Sequence, residues 1–187
     1  MTAGAGAQSP LTLRGRTWRL GDDVNTDVIY PGRYLSLFDP KEAAKHAFEG
    51  LDPAFAAKIR PGDILVAGKF FGCGSSREMA VVCVKAAGIQ AIVAKSFARI
   101  YFRNAVNQGL WVIQCEQADQ IMEGDSLALR PLDGTITDET TGRSFAARTI
   151  PPFLSEIIQA GGLVPHLRAK LGTSRPPVEQ SAASEVG

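Results

Sequence analysis

Three short apolar runs, at residues 64–67, 89–94 and 110–114, alternate with two helically patterned stretches, 80–87 and 97–107. Such runs, bounded by turn residues, predict strands buried on both faces. Gly88 and Gly109 stand just past the two helical stretches, where a residue free to adopt the left-handed conformation ends a helix. Strand, helix, strand, helix, strand at this spacing leaves little besides βαβ units and a parallel sheet.

The flanking sequence fits around that frame. Residues 17–20 read as a first strand. Asp39-Pro40-Lys41-Glu42 predicts a helix start, with Asp as N-cap, Pro at the first position and a helix running to about Phe48. Pro61-Gly62-Asp63 is a turn. Residues 125–150 change character, with short alternating strands and Asp-Gly and Thr-Gly turns. A helix over 151–160 is closed by Gly161-Gly162. A chain of 187 residues predicts one domain, over 10–172, with a flexible N-terminus (1–9) and a flexible C-terminal tail (173–187).

The segment GKFFGCGSSREMA, residues 68–80, joins the first apolar run to the next helix. In open α/β sheets ligands usually sit there, at the carboxyl end of a strand. Ser75 and Glu78 have the Ser-x-x-Glu spacing of a capping box, and a capped helix start also attracts anions. Several sharper readings fail. A P-loop ends in Gly-Lys-Ser/Thr, but Lys69 precedes the glycines, and Arg77 stands where a dinucleotide fingerprint needs its third glycine. A hydrolase elbow is Gly-x-Ser-x-Gly, which is absent here. Cys73 has no evident catalytic histidine: His46 falls in the helix starting at Pro40, as a surface or packing residue, and His166 lies near the tail. Two hydroxyls and a guanidinium remain. Arg77 offers a planar fork matched to a carboxylate. Ser75 or Ser76 can serve as a base only if its alkoxide is stabilised by Arg77 and backbone N–H groups. The implied ligand is a small carboxylate, and the implied chemistry is proton transfer.

Composition excludes other classes. The net charge of +1, without a run of Lys or Arg, argues against nucleic acid. Three cysteines, Cys73, Cys83 and Cys115, lack CxxC spacing, which points to a reduced, cytoplasmic chain without a metal site of its own. No apolar stretch approaches a membrane span, and no secretory signal is expected.

GDDVNTDVIYPGRYL, ILVAGKFFGCGSSREMA and AIVAKSFARIYFRNAVNQGL, in order from about Gly21 to Ile113, resemble the small subunits of 3-isopropylmalate dehydratase. These are swivel-domain partners in the aconitase superfamily. The resemblance implies an α/β fold, a swivelling β/β/α domain with a mostly parallel sheet, helices and a β-rich C-terminal portion. It implies a hydro-lyase of leucine biosynthesis, active only with a large subunit in a heterodimer or heterotetramer. The four-iron, four-sulfur cluster would belong to that partner, with no cofactor on this chain. The substrate would be a small hydroxy-dicarboxylate. Ser75 matches the family's catalytic base, and Gly74, Ser76 and Arg77 match substrate-binding positions. Asp27 matches an aspartate that pairs with a histidine of the large subunit; the competing reading is an Asx-turn after Asn25. Tyr34, Leu35, Ser36 and Leu37 match the loop associated with substrate choice. Relatives acting on longer tricarboxylates tend to place an arginine there. Neutral Ser36 and apolar Leu37 point instead to a compact or alkyl-bearing diacid, unless the loop is merely an exposed turn.

Three positions depart from the family pattern. Phe70 stands where Asn is usual, Met79 where His is usual, and Trp111 where a smaller residue or proline is usual. Either the surroundings of an unchanged Ser-Ser-Arg core are repacked, or the substrate is less polar, such as an alkylated malate or a maleate-type diacid. The alternative class is a non-catalytic swivel module that binds a carboxylate or regulates a partner.

Overall fold

The computed structural model describes residues 11–172. The segments 1–9 and 173–187, expected to be flexible, lie outside the described residues. β1 (Leu13–Arg19) starts upstream of the predicted 17–20, and the three apolar runs form β2 (Ile64–Ala67), β3 (Ala91–Ala94) and β4 (Trp111–Gln114). These four pair in parallel, with Leu65 opposite both Trp18 and Ile92, and Val93 opposite Ile113. β2 and β3 are buried along their whole length, which explains runs that are continuously apolar instead of alternating.

β5 (Ser126–Arg130), β6 (Thr135–Asp138) and β7 (Ser144–Ala146) form an antiparallel meander joined to β1. The β-rich portion therefore extends the sheet, in the order β4-β3-β2-β1-β5-β6-β7. β6 and β7 alternate buried residues with half-buried or exposed ones, because only one face is covered, while β5 beside β1 buries Leu127–Leu129 in a row.

Three short helices, α1 (Thr26–Ile29), α2 (Pro40–Ala44) and α3 (Phe55–Lys58), fill the long connection from β1 to β2. Asp39 caps α2 as its sequence predicts, Oδ1 accepting from the Lys41 amide at 3.0 Å. The helix stops well before Phe48. Phe48 is fully buried at φ +59°, and its N–H donates to Ile29 O at 2.8 Å, so a tertiary bond ends the helical ladder. α4 (Met79–Ala86) and α5 (Arg99–Asn107) are the crossovers of the parallel half. α2 packs on α4, while α6 (Pro152–Gln159) and α7 (Leu163–Leu171) pack on α5. Sequence reading missed α7; Pro165 does not break it, because a proline in the first turn removes an N–H that has no intrahelical acceptor.

One local expectation is overturned. Ser75 is not an N-cap: α4 starts at Met79, Glu78 occupies the cap position, and no side chain caps the helix. The Glu78 carboxylate instead accepts from Gln108 Nε2, at the end of α5. That tertiary partner takes the group a capping box would need. Ser75 and Ser76 are left in the loop, and Met79 is the first residue of α4.

Candidate functional site

The loop leaving β2 is fastened to the segment that follows β1. Asp23 N donates to Lys69 O (2.9 Å), Gly72 N to Val24 O (2.8 Å) and Thr26 N to Cys73 O (2.8 Å). The GDDVNTD and GCGSSRE stretches, nearly 50 residues apart in sequence, therefore run side by side. Gly72 lets the same loop pack on α5: φ is +79°, and a Cβ there would lie 2.2 Å from the Tyr101 ring. Cys73 is half-buried with Sγ 3.5 Å from Asp23 O, a packing position.

At the loop's end, Ser75 and Ser76 are exposed and Arg77 is half-buried. Arg77 Nη1 donates to Asp27 Oδ1 at 2.5 Å and to Tyr30 O at 3.3 Å. The Arg77 side chain is 14% exposed and that of Asp27 63%, so one end of the pair is anchored and the other open to solvent. Asn25 caps α1, its Oδ1 accepting from Val28 N at 2.9 Å. Asp27 lies in the first turn of that helix, and its carboxylate holds Arg77. Gly74 lies against Thr26, whose Oγ1 is buried without a hydrogen-bond partner.

The loop 34–37 begins beside the same pair. A Cβ on Gly32 would lie 3.6 Å from Arg77 Nη2 and 3.7 Å from Asp27 Oδ1. Gly32–Tyr34 is a 3-10 turn; Leu35 and Ser36 are exposed, and Leu37 is half-buried. Tyr34 is tied to the residues that follow α2. Its hydroxyl donates to Glu49 Oε1 (2.9 Å), and its ring stacks on His46 at 3.7 Å. Glu49 also accepts from Arg33 Nη2 and from His46 Nδ1 (2.6 Å). The His46 bond is the largest of the influences that pull its carboxyl down to about 2. Sequence reading treated His46 alone and missed Glu49 and Arg33. The His46–Glu49 spacing of three residues was the available signal.

The unusual residues have distinct settings. Phe70 has φ +56° and is 52% exposed, with its N–H bonded to Ser96 Oγ (2.9 Å). Met79 packs partly buried against the core, and Trp111 is 7% exposed at the start of β4.

The donor set does not suit an iron–sulfur cluster. Burial raises the thiol pKa of both Cys83 and Cys115, disfavouring the thiolate a cluster needs, and among the described residues no group of three His, Cys, Asp or Glu is placed to hold a metal. Among those residues no helix is long and apolar enough to cross a membrane.

The aconitase C-terminal domain family matches residues 22–118, which include β2 to β4 and every side chain named around Arg77. The chain belongs to the aconitase C-terminal domain family. It is 51% identical over 150 residues to a 3-isopropylmalate dehydratase small subunit of Archaeoglobus fulgidus, covering 80% of this chain and 93% of that one. It is 46% identical over 164 residues to the isopropylmalate/citramalate isomerase small subunit of Methanocaldococcus jannaschii, covering 87% and 98%. The crystal structure of a 3-isopropylmalate dehydratase chain from Methanocaldococcus jannaschii superposes with a TM-score of 0.82 at 43% identity. That match covers 86% of this chain and 96% of the other. The family resemblance carried by the sequence motifs, and the fold expected from it, are borne out.

Proposed function

We propose that this chain is the small subunit of an iron–sulfur hydro-lyase that dehydrates and rehydrates a small hydroxy-dicarboxylate, with residues 10–172 as its swivel domain. 3-Isopropylmalate or a related alkylmalate is the substrate class, and the setting is leucine biosynthesis in the cytoplasm. The observation that carries the reading is an exposed Ser75–Ser76 pair in the loop directly before Arg77, whose guanidinium is anchored by Asp27 and the Tyr30 carbonyl. The expected partner is a large subunit holding a four-iron, four-sulfur cluster, which supplies the Lewis acid for the departing hydroxyl.

This chain's own residues bind and move the proton. Arg77 spends Nη1 on Asp27 and Tyr30, leaving its other N–H groups for a substrate carboxylate. Gly74 and Ser76 complete the cradle. Ser75 Oγ takes the proton alpha to that carboxylate, with the neighbouring guanidinium stabilising the alkoxide. Asp27, whose side chain is 63% exposed, meets a histidine of the large subunit in this reading. The 34–37 loop, lacking any charge, faces the substrate's other end and suits an alkyl group better than a third carboxylate.

Replacing Arg77 by Lys keeps the charge and removes the fork. In the complex with the large subunit, Arg77→Lys raises KM for 3-isopropylmalate by about tenfold or more. An unchanged KM contradicts the carboxylate role.

A further inference from the structure

Tyr34 is held from two sides. Its hydroxyl donates to Glu49 Oε1 at 2.9 Å, and its carbonyl accepts from the Tyr30 hydroxyl at 2.8 Å. The Tyr30 carbonyl in turn accepts from Arg77 Nη1 at 3.3 Å. Three hydrogen bonds therefore link Arg77, Tyr30, Tyr34 and Glu49 in turn, joined through the covalent frames of the two tyrosines.

Beyond Tyr34 the loop is lightly held. Leu35 and Ser36 are exposed, and Leu37 N donates back to Tyr34 O at 2.9 Å. The position of the tip thus follows the position of Tyr34. Glu49 fixes Tyr34 more firmly than a surface ion pair would, because isolated exposed pairs hold little. Both of its oxygens are used, by Tyr34, Arg33 and His46, and its side chain is only 17% exposed. His46 supports the same residue twice, through Glu49 and through the ring stack.

We propose that Glu49 is a positioning residue for substrate choice. By pinning Tyr34 it sets the span between the Arg77 clamp and the 35–37 tip, and that span selects the bulk of the substrate's second end. The inference rests on the hydro-lyase reading above. It adds a residue outside the motif, some fifteen positions downstream of the loop it governs.

The test uses the complex of full-length chain and large subunit, assayed on a bulky and a compact alkylmalate, 3-isopropylmalate and citramalate. Glu49→Ala removes the anchor, and Tyr34→Phe removes only the hydroxyl bond while keeping the ring. Each variant raises KM for the preferred diacid by about tenfold and shifts the kcat/KM ratio between the two diacids at least about threefold, with a much smaller change in kcat. A ratio that survives both substitutions in an active complex overturns the inference alone. If Glu49→Ala fails to fold, Tyr34→Phe decides by itself. A wild-type complex inactive on every hydroxy-diacid overturns the underlying reading and the inference with it.

Discussion

Phe70 keeps a left-handed backbone, φ +56°, which costs a bulky L-residue roughly 1–2 kcal/mol, while its ring remains 52% exposed. The conformation is imposed by its neighbours: Lys69 N donates to Asp22 Oδ1 (2.7 Å) and Phe70 N to Ser96 Oγ (2.9 Å). Asn tolerates this region far better, so Phe70→Asn raises unfolding stability by about 1 kcal/mol, measured by urea denaturation. A loss of stability would mean that the ring contributes packing that outweighs the strain. Glu49 gives a second residue-scale prediction. Its carboxyl is held near 2 in the fold, against about 4.3 when unfolded. A depressed carboxyl contributes stability that is full above the unfolded value and is lost as pH falls through the folded one. The stability advantage of wild type over Glu49→Gln therefore shrinks steadily as pH falls from about 5 toward 2, read from thermal unfolding at a series of pH values. A gap independent of pH would contradict the charge-based account.

At the scale of elements, the site depends on how closely the loop after β2 packs on α5, and Gly72 makes that packing possible. Gly72→Ala adds a Cβ 2.2 Å from a fully buried Tyr101 ring, at φ +79°, and destabilises by about 2–4 kcal/mol in thermal or urea unfolding. A cost under about 0.5 kcal/mol would show that the segments yield without strain. The same scale explains what was legible in the sequence. β2, β3, β4, α4 and α5 were readable because their signals are local: apolar runs of four to six residues, and Gly88 and Gly109 at helix ends. The Ser75–Glu78 capping box was misread because Gln108, thirty residues from Glu78, takes its carboxylate. The helix after Asp39 was drawn too long because Ile29, across the fold, captures the Phe48 amide. The Arg77–Asp27 pair joins residues 50 positions apart and has no local pattern at all. The meander was recognisable as β-rich, but its junction with β1 depends on pairing across more than 100 residues.

Across the whole molecule, the parallel half of one seven-stranded sheet carries the site and the antiparallel half extends the sheet away from it. The two loops that follow β1 and β2 emerge side by side, so Asp27, Ser75, Ser76 and Arg77 share one surface with the start of the 34–37 loop. On this account the chain contributes a base and a carboxylate clamp, and the partner contributes the Lewis acid. The account stands or falls on Ser75. In the complex with the cluster-bearing large subunit, Ser75→Ala lowers kcat for 3-isopropylmalate by about three orders of magnitude or more, while KM changes only a few-fold. A Ser75→Ala complex with kcat within a few-fold of wild type would contradict the assignment of the base and the catalytic reading of this chain.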